Sequence, residues 1–179
     1  MENEVLYLLL DNYADHETVY LMEAIASDEF ALKENPKYVN RIVAPTLEPV
    51  QSIGGFGWST SVAEKVVPIV TKAIKQNHIV GAICNAVSFM AKHGFLNAVK
   101  HTGNGLDQLK LWGGDNYTNA DGYIHVQAAR DKNIVTANGS ATLEFAKELL
   151  LLLENDTPER IEMYYQFNKQ GFCALFPEN

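Results

Sequence analysis

Two patterns of apolar and polar residues alternate along this chain. Short, nearly continuous apolar runs are each followed by stretches whose apolar residues recur three and four apart, the spacing of a helix face. Val5 to Leu10 (Val-Leu-Tyr-Leu-Leu-Leu) is apolar throughout, as a strand covered on both faces must be. Asp11-Asn12-Tyr13 breaks that run. A helix is expected from about Asp15, with Val19, Met22, Ile25 and Ala26 on its apolar side. Tyr38 to Ala44 reads as a second strand, ended by Pro45, and Pro49 to Ile53 as a shorter, more polar extended piece. It runs into Gly54-Gly55-Phe56-Gly57-Trp58, where paired glycines allow a close backbone approach or simply a turn. Ser61 with Glu64 three residues later reads as a capping box. The helix it opens, to Gln76, carries Val62, Val66, Ile69, Val70 and Ala73, and Pro68 predicts a kink or break within it.

The next unit changes the picture. Ile79 to Ile83 is an apolar run rich in β-branched residues, and from Asn85 the pattern turns helical, with Ala86, Phe89 and Met90 before a stop at Gly94. A strand that turns straight into a helix leaves its junction residue at the carboxyl end of the sheet, beneath the unpaired N–H groups of the helix's first turn. That residue is Cys84. A helix N-terminus favours the thiolate, and the spacing is that of a nucleophile elbow with cysteine for serine. Free cysteine is also among the most buried residue types, so position alone favours an inert core thiol.

Leu96 to Thr102 is expected to be extended and to deliver His101, and Leu106 to Trp112 to be a short helix. Gly113 to Gly122 reads as a polar loop. Tyr123 to Arg130 and Asn133 to Ala137 flank Asp131-Lys132 as a hairpin or tight connection. A strongly apolar helix follows from Ala141 to Leu153. Thr157 and Pro158 then supply the N-cap and first residue of a last helix. Strand, loop and helix in succession imply a doubly wound α/β domain, whose functional groups sit at strand carboxyl ends.

Composition narrows the function. The 179 residues form one domain, and a formal net charge of −8 argues against a nucleic-acid partner. No apolar run is long enough to span a bilayer, so no membrane role is expected. Met1-Glu2-Asn3-Glu4 lacks the basic start of a secretory signal, and two cysteines, Cys84 and Cys173, make no disulfide framework. Both are expected to be reduced thiols in a cytoplasmic protein. No zinc-type spacing is present, so neither a metal nor another cofactor is expected.

Several segments taken in order carry a resemblance. Ala82-Ile83-Cys84 with its small-residue helix resembles the cysteine elbow of the ThiJ/PfpI family, within the class I glutamine amidotransferase-like superfamily. His16-Glu17-Thr18-Val19 is similar to the first loop and helix, which bear that family's functional glutamate. Lys100-His101-Thr102-Gly103-Asn104 is similar to the strand after the elbow helix, and Asn133 to Gly139 through Glu144-Phe145-Ala146 to the last strand, turn and helix. The likeness covers nearly the whole chain, as one domain over residues 1–179.

This resemblance implies a flavodoxin-like α/β/α sandwich with a mostly parallel sheet, assembled as a homodimer. It implies Cys84 as nucleophile and Glu17 as the acid that tunes the sulfur, and so reverses the inert reading. Tyr13 is a candidate for the pocket wall, and the backbone N–H groups of Asn85 and Gly55 are candidate oxyanion donors. Two departures matter. Asn85 stands where the protease-like branch has histidine, and asparagine is no general base, so His101 is the candidate in its place. Between Gly54 and Ser59 two family segments collapse into one, so the chain either lacks a strand there or closes up a gap.

The expectation is therefore a cysteine-dependent enzyme acting on a small carbonyl or amide, of hydrolase, amidase or glyoxalase-like type. The alternative is a non-catalytic redox or stress protein that uses Cys84 as an oxidation sensor. A glutaminase half of an amidotransferase is disfavoured, because His125 has no acidic companion in a late triad motif.

Overall fold

The structure, a computed structural model, describes residues 3–10, 13–28, 31–44 and 64–177. Strand β1 (Glu4–Leu8) pairs in parallel with β4 (Val39–Val43), Glu4 opposite Val39 and Leu8 opposite Val43. Between them lie helix α1 (Val19–Ala26) and a small antiparallel pair, β2 (Ser27–Asp28) with β3 (Ala31–Leu32), which the residue pattern did not announce. Helix α2 (Val67–Lys75) leads into β5 (Val80–Ile83) and the elbow helix α3 (Asn85–Lys92). Helix α4 (Leu106–Gly113) precedes β6 (Ala128–Asp131) and β7 (Ile134–Ala137). These two form the expected hairpin, turned by Lys132 at φ 52°. Helices α5 (Thr142–Leu153), α6 (Pro158–Gln170) and the short α7 (Phe172–Leu175) end the chain. The cap of α6 forms as its sequence predicts: the Thr157 side chain accepts from the Arg160 N–H at 3.3 Å, with Pro158 first in the helix.

The second sheet has the order β5-β7-β6, with β5 parallel and β6 antiparallel to β7. Side chains of a strand alternate faces, and both faces here are covered. Ile83, Val135 and Ala137 enter a core with Leu21 and Ile25 of α1, Phe145, Leu149 and Leu150 of α5, and Ile161 of α6. Ala82 and Ile134 point the other way, into a core with Val87, Met90 and Ala91 of α3 and Leu109 of α4. Helices on either side of mostly parallel strands make the three-layer α/β/α arrangement of the flavodoxin-like class.

Three expectations need correction. β1 is not covered on both faces: Tyr7 alone in it is buried, Leu6 is 57% exposed, and in β4 Ile42, the register partner of Tyr7, is 64% exposed. In α1 the buried residues are Leu21 and Ile25, and Val19 is exposed, because the face that meets the core of Phe145, Leu149, Leu150 and Ile161 carries Leu21 and Ile25. Leu96 to Thr102 is mostly turns, and only His101 makes a strand-like bridge, to Tyr123. The expected interruption near Pro68 takes the form of a break: Glu64 is helical, Lys65 and Val66 form a turn, and α2 starts afresh at Val67 with Pro68 in its first turn, where a missing N–H costs no helix bond. The expectations for Gly54–Ser59, Ser61 and Gly55 lie outside the described residues.

One cavity separates the two larger sheets. Its walls include the whole of β1 and β5, and it runs up to Glu17, Cys84 and Asn104 at the strand carboxyl ends. Its volume is about 1810 Å³. Val39 N and Leu9 N bond to Asn3 O and Val43 O, so the odd-numbered residues of β1 face β4 and the even-numbered ones, Leu6 and Leu8 among them, turn their main-chain groups away from it. On β5 the bonds from Val80 N and Cys84 N go to β7, which turns the main-chain groups of Gly81 and Ile83 toward its other edge.

Candidate active site

The elbow is built from backbone outward. Cys84 N donates to Ala137 O at 3.0 Å, so the strand ladder of β5 and β7 holds this residue to its last bond. Its torsions, φ 57° and ψ −123°, then break the strand and start α3 within one residue. A side chain at positive φ costs about 1–3 kcal/mol, strain of the kind found where a reactive group must be held out at a turn. The result is a half-buried thiol that lines the cavity.

Four groups surround that sulfur. The Glu17 carboxyl, at the end of the 3₁₀ turn before α1, hydrogen-bonds the thiol. Asn104 Nδ2 donates to Sγ at 3.4 Å, and the backbone N–H of Asn85 does so from the first turn of α3. Gly139, in the turn from β7 to α5, closes the last side: a Cβ there would stand 2.8 Å from Sγ. Asn104 is fixed in turn, because its Oδ1 accepts from Gly139 N at 2.9 Å.

The electrostatics couple two acids. Burial pushes the Glu17 carboxyl above its ordinary value, against smaller opposing effects of its hydrogen bond to Cys84 and the charge of His16. Burial also pushes the Cys84 thiol up, and a charged Glu17 raises it further. Asn104 and the Asn85 N–H pull it back. The expected lowering of the thiol by the helix mouth is thus outweighed, first by burial and then by Glu17. Two acids in contact in a partly dry site disfavour each other's ionisation, so they titrate as a pair.

Of the six residues expected at the site, Cys84, Glu17, Asn85 and Tyr13 all line the cavity. Gly55 lies outside the described residues. His101 does not line the cavity; it is fully buried, with Nδ1 2.9 Å from Val99 O and Nε2 2.6 Å from the Tyr117 hydroxyl. A carbonyl only accepts, so Nδ1 carries the proton and Nε2 accepts from Tyr117. Burial holds its pKa below the ordinary histidine value. His101 is a neutral histidine of the core, with no free nitrogen to serve as base.

Residue pattern did not single out Asn104, Gly139 or Gln108, whose Nε2 donates to Asn85 Oδ1 at 3.2 Å. The one available signal was the asparagine between two glycines, Gly103-Asn104-Gly105, directly after His101-Thr102. Among the described residues no group of three or more His, Cys, Asp or Glu side chains is placed to hold a metal ion, and no helix is long and apolar enough to cross a membrane.

Comparison with known proteins identifies the family of this chain. The chain is 36% identical over 185 positions to a Bacillus subtilis protein named as an uncharacterised protease, YdeA, covering 94% of this chain and 92% of that one. Those positions outnumber the 179 residues present, so the relative carries residues with no counterpart here. Among solved structures, a thiJ/pfpI family protein from Bacillus anthracis superposes with a TM-score of 0.87 at 26% identity, over 98% of this chain and 93% of that one. The DJ-1 superfamily protein Atu0886 from Agrobacterium tumefaciens gives 0.78 at 26% identity, over 94% and 98%. Residues 46–152 match the DJ-1/PfpI family as a sequence domain, and with a close relative aligned along nearly its whole length this chain belongs to the DJ-1/PfpI family.

Proposed function

We propose that the chain is a cysteine-dependent enzyme acting on a small carbonyl or amide substrate, with Cys84 as nucleophile and Glu17 as its proton partner. The observation that carries this reading is the hydrogen bond between Glu17 and a thiol held at a strained elbow on the cavity wall. In the first step the proton of Sγ passes to the Glu17 carboxylate, and the sulfur lone pair forms a bond to the carbonyl carbon. The C=O π electrons move to oxygen. The Asn85 N–H, a donor to sulfur at rest, then serves the new oxyanion. Glu17, now protonated, returns its proton to the oxyanion of an aldehyde adduct or to the leaving nitrogen of an amide. A carboxyl raised by burial holds a proton more readily than an exposed one, which suits it to take part in this exchange.

The site favours small substrates over folded chains. No described histidine has both a free nitrogen and a contact with Cys84, which weakens peptide hydrolysis of the Cys-His type despite the name of the Bacillus subtilis relative. The redox-sensor alternative would use the same thiol, and it is told apart by peroxide oxidation of Cys84 without turnover of any carbonyl. A cytoplasmic homodimer is the setting in which we place this activity.

The test is Cys84→Ala against a panel of small aldehydes and amides. Turnover should fall to background; equal turnover by variant and parent removes the proposal. Glu17→Gln should move the pH profile of Cys84 alkylation toward lower pH, because it removes the negative charge that raises the thiol. A shift the other way would mean that Glu17 activates the sulfur by another route.

A further inference from the structure

We propose that the side chains of Asn85 and Gln108 form a carboxamide-recognition subsite beside Cys84, so that the preferred substrate carries a primary or secondary amide group. The inference rests on the reading of Cys84 as the reacting group of this cavity, and it adds what sits next to that group. Asn85 is the residue after the thiol, at the start of α3, and Gln108 lies in the first turn of α4, the helix packed against it. Both are half-buried and both line the cavity.

The bond between them decides what they can bind. Gln108 Nε2 donates to Asn85 Oδ1 at 3.2 Å, which occupies the acceptor of Asn85 and one hydrogen of Gln108. Left over are the two hydrogens of Asn85 Nδ2, the second hydrogen of Gln108 Nε2 and the oxygen Oε1 of Gln108, none with a hydrogen-bond partner among the described residues. Turning both amides over exchanges which residue donates but leaves the same free groups, one NH₂ group and one carbonyl oxygen on two bonded neighbours. An amide is the complement of that pair: its C=O accepts from one and its N–H donates to the other. A ketone or ester offers only the acceptor. A carboxylate offers two acceptors and turns a negative charge toward the unpaired oxygen.

Charge points the same way. The described residues lining the cavity include no lysine and no arginine, but do include Glu4 and Glu17. A carboxylate or phosphate entering it meets no cationic side chain of those kinds and at least one acid. Asn104, Gln127 and Asn138 extend the wall with further carboxamides, so its polarity is largely that of neutral amides.

Iodoacetamide and iodoacetate test this directly, because they differ only in carrying an amide or a carboxylate. Each reacts by forming an S–C bond with loss of iodide, which needs no enzymatic turnover. The exposed Cys173 is the internal reference. The ratio of iodoacetamide to iodoacetate rates should be about tenfold greater at Cys84 than at Cys173, as two extra hydrogen bonds allow. Gln108→Leu, which changes no charge, should slow iodoacetamide at Cys84 and leave methyl methanethiolsulfonate, which has no amide, unchanged.

A second measurement does not depend on the variant folding or on the thiol reacting. In Cys84→Ser protein, propionamide should shift the Gln108 side-chain amide NMR signals saturably, and propionate should not. Equal ratios at the two cysteines, no change in Gln108→Leu, or no saturable propionamide shift would overturn the subsite. Absence of turnover with any carbonyl would instead count against the catalytic proposal and leave these readouts standing. Full turnover of aldehydes with no amide preference would sink the subsite alone.

Discussion

The two larger sheets are built from similar apolar runs and end in different states. In β7 every residue is buried, with Val135 at 0% exposure, whereas in β1 the run Val-Leu-Tyr-Leu buries only Tyr7. The difference lies in what covers them. β5 and β7 have α5 on one face and α3 with α4 on the other, while β1 and β4 have α1 on the Tyr7 side and leave Leu6 exposed. An apolar run specifies a strand, but its burial is supplied by other elements. The reactive groups divide the same way: Cys84 and Asn104 ride on the well-covered sheet and Glu17 on the thinly covered one, so the Glu17–Cys84 contact spans the cavity between them.

That contrast is open to measurement. The largest effect should come from Phe145→Ala, which removes a ring packed in the β5–β7 core and should cost about 3–5 kcal/mol in urea unfolding. If it costs no more than a surface change, the second sheet is not the stable half. Next comes Gly81→Ala: the added Cβ would lie 2.8 Å from Phe145 Cζ and 3.0 Å from Leu149 Cδ1, so overpacking should cost about 1–3 kcal/mol.

A pH test follows from His101. Its folded pKa is depressed, so its contribution is present above the unfolded value, about 6.5, and is lost as pH falls through the folded one. The parent's urea midpoint should therefore drop between pH 7.5 and 5.5 by more than that of His101→Phe. A drop of the same size in both would place the titrating group elsewhere. The smallest effect should be Leu6→Ser in the exposed part of β1, within about 0.5 kcal/mol of the parent. A large loss there would mean that β1 is covered in solution, and the comparison would fail.

Much of the fold was legible because it depends on neighbours in sequence. A β-branched run followed by helical spacing marked β5, Cys84 and α3; Thr157-Pro158 marked a helix start; Asp131-Lys132 marked the β6–β7 turn. What failed depended on residues far along the chain. His101 looked available because it ends a short apolar stretch, but Tyr117, 16 residues later, closes over its Nε2. Asn104 and Gln108 gave no periodic signal, since a loop carboxamide gains a role only from the partner it meets, here Gly139 and Asn85. Glu17 and Cys84 were named together through family resemblance; their contact is a tertiary fact that neither local pattern contains.

The cavity between β1 and β5 bears on how the protein survives heating. Among the described residues no strand pairs with the outward-turned main-chain groups of β1 and β5, and such parallel edges are templates on which strands of other molecules can add. As the thinly covered sheet loosens first, those edges would meet edges of neighbouring molecules, and loss of soluble protein on warming should then steepen with concentration while the β5–β7 core is still intact.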